Sequence, residues 1–168
     1  MTLEGLLDNA RALQKGLTDG SLIREVLEPH GSEIVDMQRT QLLMGKASDG
    51  QDIHPFYTED LKPSGYFTTK AKAENYRGWK QELSYPKNVK RNPDAPNLYI
   101  TGVFHNDLNV SFGGDSLAIV ADTAYAAKIM AKYGINVFGL SWESWGELFN
   151  EGGVKDELME KVKETLWQ

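Results

Sequence analysis

Cysteine is absent from the 168 residues. That excludes disulfides, thiolate metal sites and cysteine nucleophiles, and leaves any metal site to three histidines and the carboxylates. A small fold held together by cross-links is excluded as well. No apolar run is long enough to cross a bilayer, and the first residues, MTLEGLLDNARALQKG, carry acids and lack the basic start and small-residue cleavage site of a leader. These absences predict a soluble, unprocessed chain with no membrane partner. The sequence also contains no phosphate loop, dinucleotide fingerprint, nucleophile elbow or zinc-protease helix. FGGDS at 112–116 lacks the spacing of such loops, and SDGQD at 48–52 lacks the alternating acids and closing Glu of a calcium loop. His30, His54 and His105 are far apart, with no His-x-x-x-His pair. The expectation is therefore no metal, no cofactor and no catalytic residue.

What is present is enough apolar side chain, 40% of the composition, for one adequate core, and the length argues for a single domain over 1–168. The net charge of -6 is unevenly spread. Residues 62–91 hold eight cations, Lys62, Lys70, Lys72, Arg77, Lys80, Lys87, Lys90 and Arg91, against Glu74 and Glu82. That segment carries +6 and the remainder -12.

Leu3, Leu6, Leu7, Ala10 and Leu13 predict an N-terminal amphipathic helix that TDGS ends. A second helix starts at Ser21, which has the chemistry of a cap. It is kinked or split at Pro29 and Gly31, then continues through Ile34, Val35, Leu42 and Leu43 to Gly45. Residues 46–96 lack sustained periodicity and contain five of the six prolines. They predict a long irregular arm with one short helix near 71–83, of the kind that becomes ordered on a partner. Toward the C-terminus, TAYAAKIMAKYG reads as a helix closed by Gly134, and INVFGLS as an extended connector. WESWGELF is a helix with Trp142, Trp145, Leu148 and Phe149 on one face, and Val154, Leu158, Val162 and Leu166 stripe the last helix. The order predicts an α+β fold: N-terminal helices, long irregular arm, an antiparallel sheet built on a β-hairpin, and C-terminal helices.

The sheet is predicted from alternation. Leu98, Ile100, Phe104, Leu108, Val110 and Phe112 share one parity, while His105, Asp107, Asn109 and Ser111 take the other. A Gly113-Gly114 turn places Phe112 opposite Asp115, Val110 opposite Leu117 and Leu108 opposite Ile119. On this register His105 and Asp107 face water and Asn106 faces the core. The trio does not converge, so a hydrolase built on His105 and Asp107 is the weakest functional reading.

The basic segment interleaves its cations with Tyr66, Phe67, Tyr76, Trp79 and Tyr85. Such composition suits single-stranded nucleic acid, through phosphate neutralisation and base stacking by Lys70, Lys72, Arg77, Trp79 and Lys80. It equally suits docking on the acidic surface of an identical subunit, with the rings as anchors. Because the rest of the chain carries -12, the second reading needs no outside partner and is preferred.

Four short blocks occur in a fixed order: the Asp49-Gly50 turn within GKASDGQDI, NLYITGVF at 97–104 with its Thr-Gly pair, the Tyr133-Gly134 helix end, and Phe138-Gly139-Leu140-Ser141. This succession, from roughly Ile34 to Leu166, resembles the small tail-completion and head-to-tail joining (neck) proteins of tailed bacteriophages. It is most similar to versions in phages of Bacteroidetes, including crAss-like ones. The aromatic arm between Tyr57 and Pro96 and the Trp-rich helix at 142–149 depart from the family's pattern. The resemblance implies a non-enzymatic virion structural protein, assembled in the host cytoplasm into a ring of identical subunits in the neck or tail. It would adjoin portal, connector or tail proteins, with genomic DNA passing through the channel. The expected subunit interface comprises Tyr66, Phe67, Lys70, Lys72, Tyr76, Arg77, Trp79 and Lys80 of the arm, with Trp142 and Trp145. The alternative is a single-stranded nucleic-acid-binding module using residues 62–91.

Overall fold

A computed structural model describes residues 2–63, 65–113 and 116–167. The fold is α+β, with a two-stranded antiparallel sheet between helices at either end of the sequence. Its helices are α1 (Leu3–Thr18), α2 (Ser21–Leu27), α3 (Gly31–Leu43), α4 (Lys70–Glu82), α5 (Val103–Asn106), α6 (Ala126–Tyr133), α7 (Trp142–Asn150) and α8 (Val154–Trp167). The strands are β1 (Leu108–Gly113) and β2 (Ser116–Ala121). Packing has two centres. The first unit comprises Met1–Val35, Asn109–Val120 and Glu143–Gln168, and the second comprises Asp36–Leu108 and Ala121–Trp142.

In the first unit, α1 begins where the Thr2 hydroxyl accepts the Gly5 N–H at 3.1 Å, a side-chain N-cap. Its leucines keep helical spacing, yet no residue of α1 is buried. The break after it is made by Gly20, whose φ of 72° only glycine adopts without strain, and by Asp19, which accepts the Ser21 N–H. Ser21 is thus the first helical residue and not the cap. The split at Pro29 is a single 3-10 turn, Glu28–His30, where proline's missing N–H is tolerated at a helix start. Leu22, Val26, Leu27, Ile34, Leu148 and Val154 are buried in this unit.

His30 sits between two carboxylates, Glu33 at 2.9 Å and Glu157 at 3.1 Å, bringing α8 against the start of α3. The Glu33 hydrogen bond holds the imidazole above its ordinary value against the opposing effect of burial, with Glu157 adding to it. A raised native pKa adds stability that is complete below the unfolded value near 6.5 and lost as pH rises through the native one. Wild type is therefore expected to exceed His30→Gln in urea stability most at pH 6. The margin, about 0.5–1 kcal/mol because both glutamates are half exposed, should shrink toward pH 9. A margin independent of pH would show that His30 contributes only by packing.

The hairpin keeps the expected alternation. Leu108, Val110 and Phe112 of β1 are more buried than Asn109 and Ser111, and Leu117 and Ile119 of β2 more than Ser116 and Ala118. Gly114 and Asp115, and with them the predicted turn and the Phe112–Asp115 pair, lie outside the described residues. The strand begins later than the pattern implied. Leu98 has a positive φ of 54°, Gly102 one of 83°, and α5 follows. Two left-handed residues break the extended path, and parity counted through them has no meaning. His105 is consequently buried, not solvent-facing, and Asn106 is exposed, not core.

The second unit is organised by two glutamines on α3. Gln38, fully buried, donates from Nε2 to the Val137 carbonyl at 3.1 Å and accepts the Gly139 N–H at 2.9 Å. One turn later, Gln41 donates to the Gly139 carbonyl at 2.9 Å and accepts the Ser141 N–H at 2.8 Å. The two amides take alternate residues of the 137–141 connector, as a neighbouring strand would. Connector and helix are thereby locked together in a buried setting.

Residues 46–96, expected to be ordered by a partner, are ordered by their own unit. The SDGQ turn is present, with Gly50 at φ 76° and the Ala47 N–H bonded to the Gln51 carbonyl at 2.9 Å. Lys46 and Asp52 face each other at 2.8 Å. Ala47, Ile53, Tyr57, Phe67, Ala73 and Ala95 are buried. Tyr57, Phe67 and Tyr76 pack edge-on or tilted with centroids 5.1–6.2 Å apart. Such packing needs no sequence periodicity, and the segment read as an arm builds a small core from loop residues and one face of α4.

Candidate functional site

The second unit contains an open cleft of about 500 Å³. One wall is α6, which presents Lys128, Ile129, Lys132 and Tyr133, residues at i, i+1, i+4 and i+5 on one helical face. The opposite side is the 96–104 segment, whose Leu98 holds the left-handed conformation and whose Ile100 and Val103 are exposed at the rim. The floor is Tyr57, Tyr76 and Lys80 from the former arm. The cleft is mostly apolar, with lysines as its charged groups and, among the described residues, no carboxylate or histidine in its lining.

Lys80 is the unusual member. It is only 1% exposed, and its Nζ donates a hydrogen bond to the Tyr99 carbonyl. Burial, reinforced by the nearby Arg91 charge, lowers its pKa from 10.5 to about 7, so near neutrality a large fraction of the amine is uncharged. Burial likewise pushes Tyr76 up to about 12 and Tyr57 further, keeping both phenols protonated. Lys132 is held above its ordinary value by Asp60, its partner at 2.5 Å, against the effect of burial, which acts first and downward. Lys128 is exposed to solvent.

His105 lies beside this site but not in its lining. Its Nε2 is 2.9 Å from the Asn97 carbonyl, and Arg39 donates to the carbonyls of His105 and Asn106, closing the end of α5. Burial lowers the imidazole to about 4, leaving it neutral over the physiological range. Asp107 is not among its hydrogen-bond partners, so the geometry gives no His–Asp pair for hydrolysis. Among the described residues no group of three or more His, Asp or Glu stands close enough to hold a metal ion.

The expected interface residues separate into two sets. Phe67 and Lys80 are buried within the chain and are not available to a neighbour, and Tyr76 is half-buried in the ring cluster. Tyr66, Lys70, Lys72, Trp79 and Trp142 are exposed, while Arg77 and Trp145 are intermediate. Several cations of the basic segment are engaged internally. Lys87 bonds Asp36 at 2.6 Å and Thr40 at 2.9 Å, and Arg91 lies over the Tyr85 ring at 4.9 Å while bonding the Lys80 carbonyl. Of the residues named for a nucleic-acid strand, Lys70, Lys72, Arg77 and Trp79 keep solvent access and Lys80 does not.

Sequence reasoning missed the cleft, because its walls come from segments separated by about thirty residues and only the fold brings them together. The one signal was Gly102, a glycine between Thr101 and Val103 inside a supposed strand. No helix among the described residues is long and apolar enough to cross a membrane. No family model, curated protein or solved structure matches this chain.

Proposed function

We propose that this chain is a virion structural protein of tailed bacteriophages, forming a ring in the neck or tail through subunit–subunit contacts. The observation that carries the proposal is the amount of large apolar side chain left in water on a folded body. Trp142 is 88% exposed, Tyr66 77% and Tyr125 58%, with Ile100 and Val103 about half exposed at the cleft. Exposed aromatics of this size are the anchors from which protein interfaces are made. The four ordered sequence blocks supply the phage assignment, and the mostly apolar lining of the cleft suits the binding of a partner's side chains. The contact surface is folded in advance, in place of an arm that orders on arrival.

Native mass spectrometry over a wide range of protein concentration, with negative-stain imaging, tests this. The expected result is a closed oligomer at several times the 18.8 kDa chain mass and ring-shaped particles. A chain that stays monomeric at every concentration and forms no particles overturns the reading.

A further inference from the structure

The two units differ in charge as well as in packing. The first carries six cations against fourteen carboxylates, a balance of -8, and the second twelve against ten, a balance of +2. A chain with an acidic half and a mildly basic half is complementary to a copy of itself only when unlike halves meet. Where such contacts run head to tail and are not reciprocated within a pair they are heterologous, and repeated by a closing rotation they generate rings.

Each half also leaves apolar side chains in water, and in each half one group of them has a definite shape. In the first it is the face of α1 turned away from α2 and α8, where Leu3, Leu7 and Leu17 fall together and remain exposed, Leu3 at 76% and Leu7 at 50%. In the second it is the cleft, with Ile100 and Val103 at its rim. Their charges match in spacing. Glu4 and Asp8 follow Leu3 and Leu7 at i, i+4 on α1, and Lys128 and Lys132 stand at i, i+4 on the α6 wall. Asp60 already pairs with Lys132 and Arg11 with Asp8 at 3.0 Å, so Lys128 and Glu4 are the charges left to meet across the contact.

We propose that the cleft of the second unit is the socket for α1 of a second copy of this chain. The leucine stripe of α1 enters between α6 and the 96–104 segment, with Glu4 toward Lys128. This is helix-in-groove recognition, read through an i, i+4 apolar stripe. The proposal rests on the ring-forming reading above and names the surfaces that would build it.

The test uses two variants of the full chain. One blunts the socket, Ile100→Asp with Val103→Asp; the other blunts the plug, Leu3→Asp with Leu7→Asp. All four positions are exposed, so both proteins are expected to fold, and unchanged circular dichroism and urea midpoints verify this. Each variant alone is expected to be monomeric where wild type is oligomeric. Mixed, they retain one good plug and one good socket between them, so native mass spectrometry should show a 1:1 dimer and nothing larger. Assembly of either variant as wild type, or a mixture without that dimer, overturns the socket while leaving ring formation standing. A wild-type chain that never associates removes the ring reading and the socket together.

Discussion

Replacing Lys80 with methionine is expected to stabilise the protein by about 3 kcal/mol at pH 6, although the substitution deletes a hydrogen bond. The amine is enclosed, with a native pKa near 7 in place of 10.5, and each unit of that displacement corresponds to about 1.4 kcal/mol of penalty on the charged form. Against this stands the bond to the Tyr99 carbonyl, whose loss costs on the order of 1–2 kcal/mol. The charge term is larger, so the variant gains. The pH dependence identifies the cause. Between about pH 7 and 10.5 the unfolded chain holds a proton that the native state has released, so wild-type stability rises with pH through that window. Methionine does not titrate, and its advantage should be full below pH 7 and fade toward pH 10. Urea titrations at pH 6, 8 and 10 measure it. A variant less stable than wild type at pH 6 would mean that the carbonyl contact outweighs the burial of the amine.

The largest loss should follow Gln38→Leu, about 2–4 kcal/mol. Leucine fills much of the space but leaves the buried Val137 carbonyl and the half-buried Gly139 N–H facing an apolar side chain in place of the amide. Buried polar groups without partners are among the few causes of effects this large. Gln41→Leu should cost less, and the double variant less than the sum, because both amides hold Gly139, one at its N–H and the other at its carbonyl. The urea midpoint should fall with its slope unchanged. A cost within experimental error for Gln38→Leu would show that the connector is held by its apolar contacts and not by the glutamines.

Both residues show how the sequence could be misread. Lys80 stands among seven other cations of 62–91 and looks like one more solvated charge; Gln38 and Gln41 look like the polar face of α3. Nothing local distinguishes a lysine that ends in water from one that ends against a carbonyl.

Elements governed by contacts within a few residues were legible beforehand. The stripe of α1, the Gly20 break, the turn at Pro29, α4, the end of α6 at Gly134 and α8 follow from helical spacing, proline's missing N–H and glycine's left-handed conformations, none of which depends on distant chain. The α+β class followed from the same signals. Tertiary structure decided the remainder: that residues 46–96 pack as a ring cluster, that the strand starts at Leu108 once Leu98 and Gly102 have turned the chain, and that His105 is interior. It also placed α6 opposite 96–104, and so made a cleft. Burial and convergence depend on which distant segments meet, and composition and periodicity carry no record of that meeting.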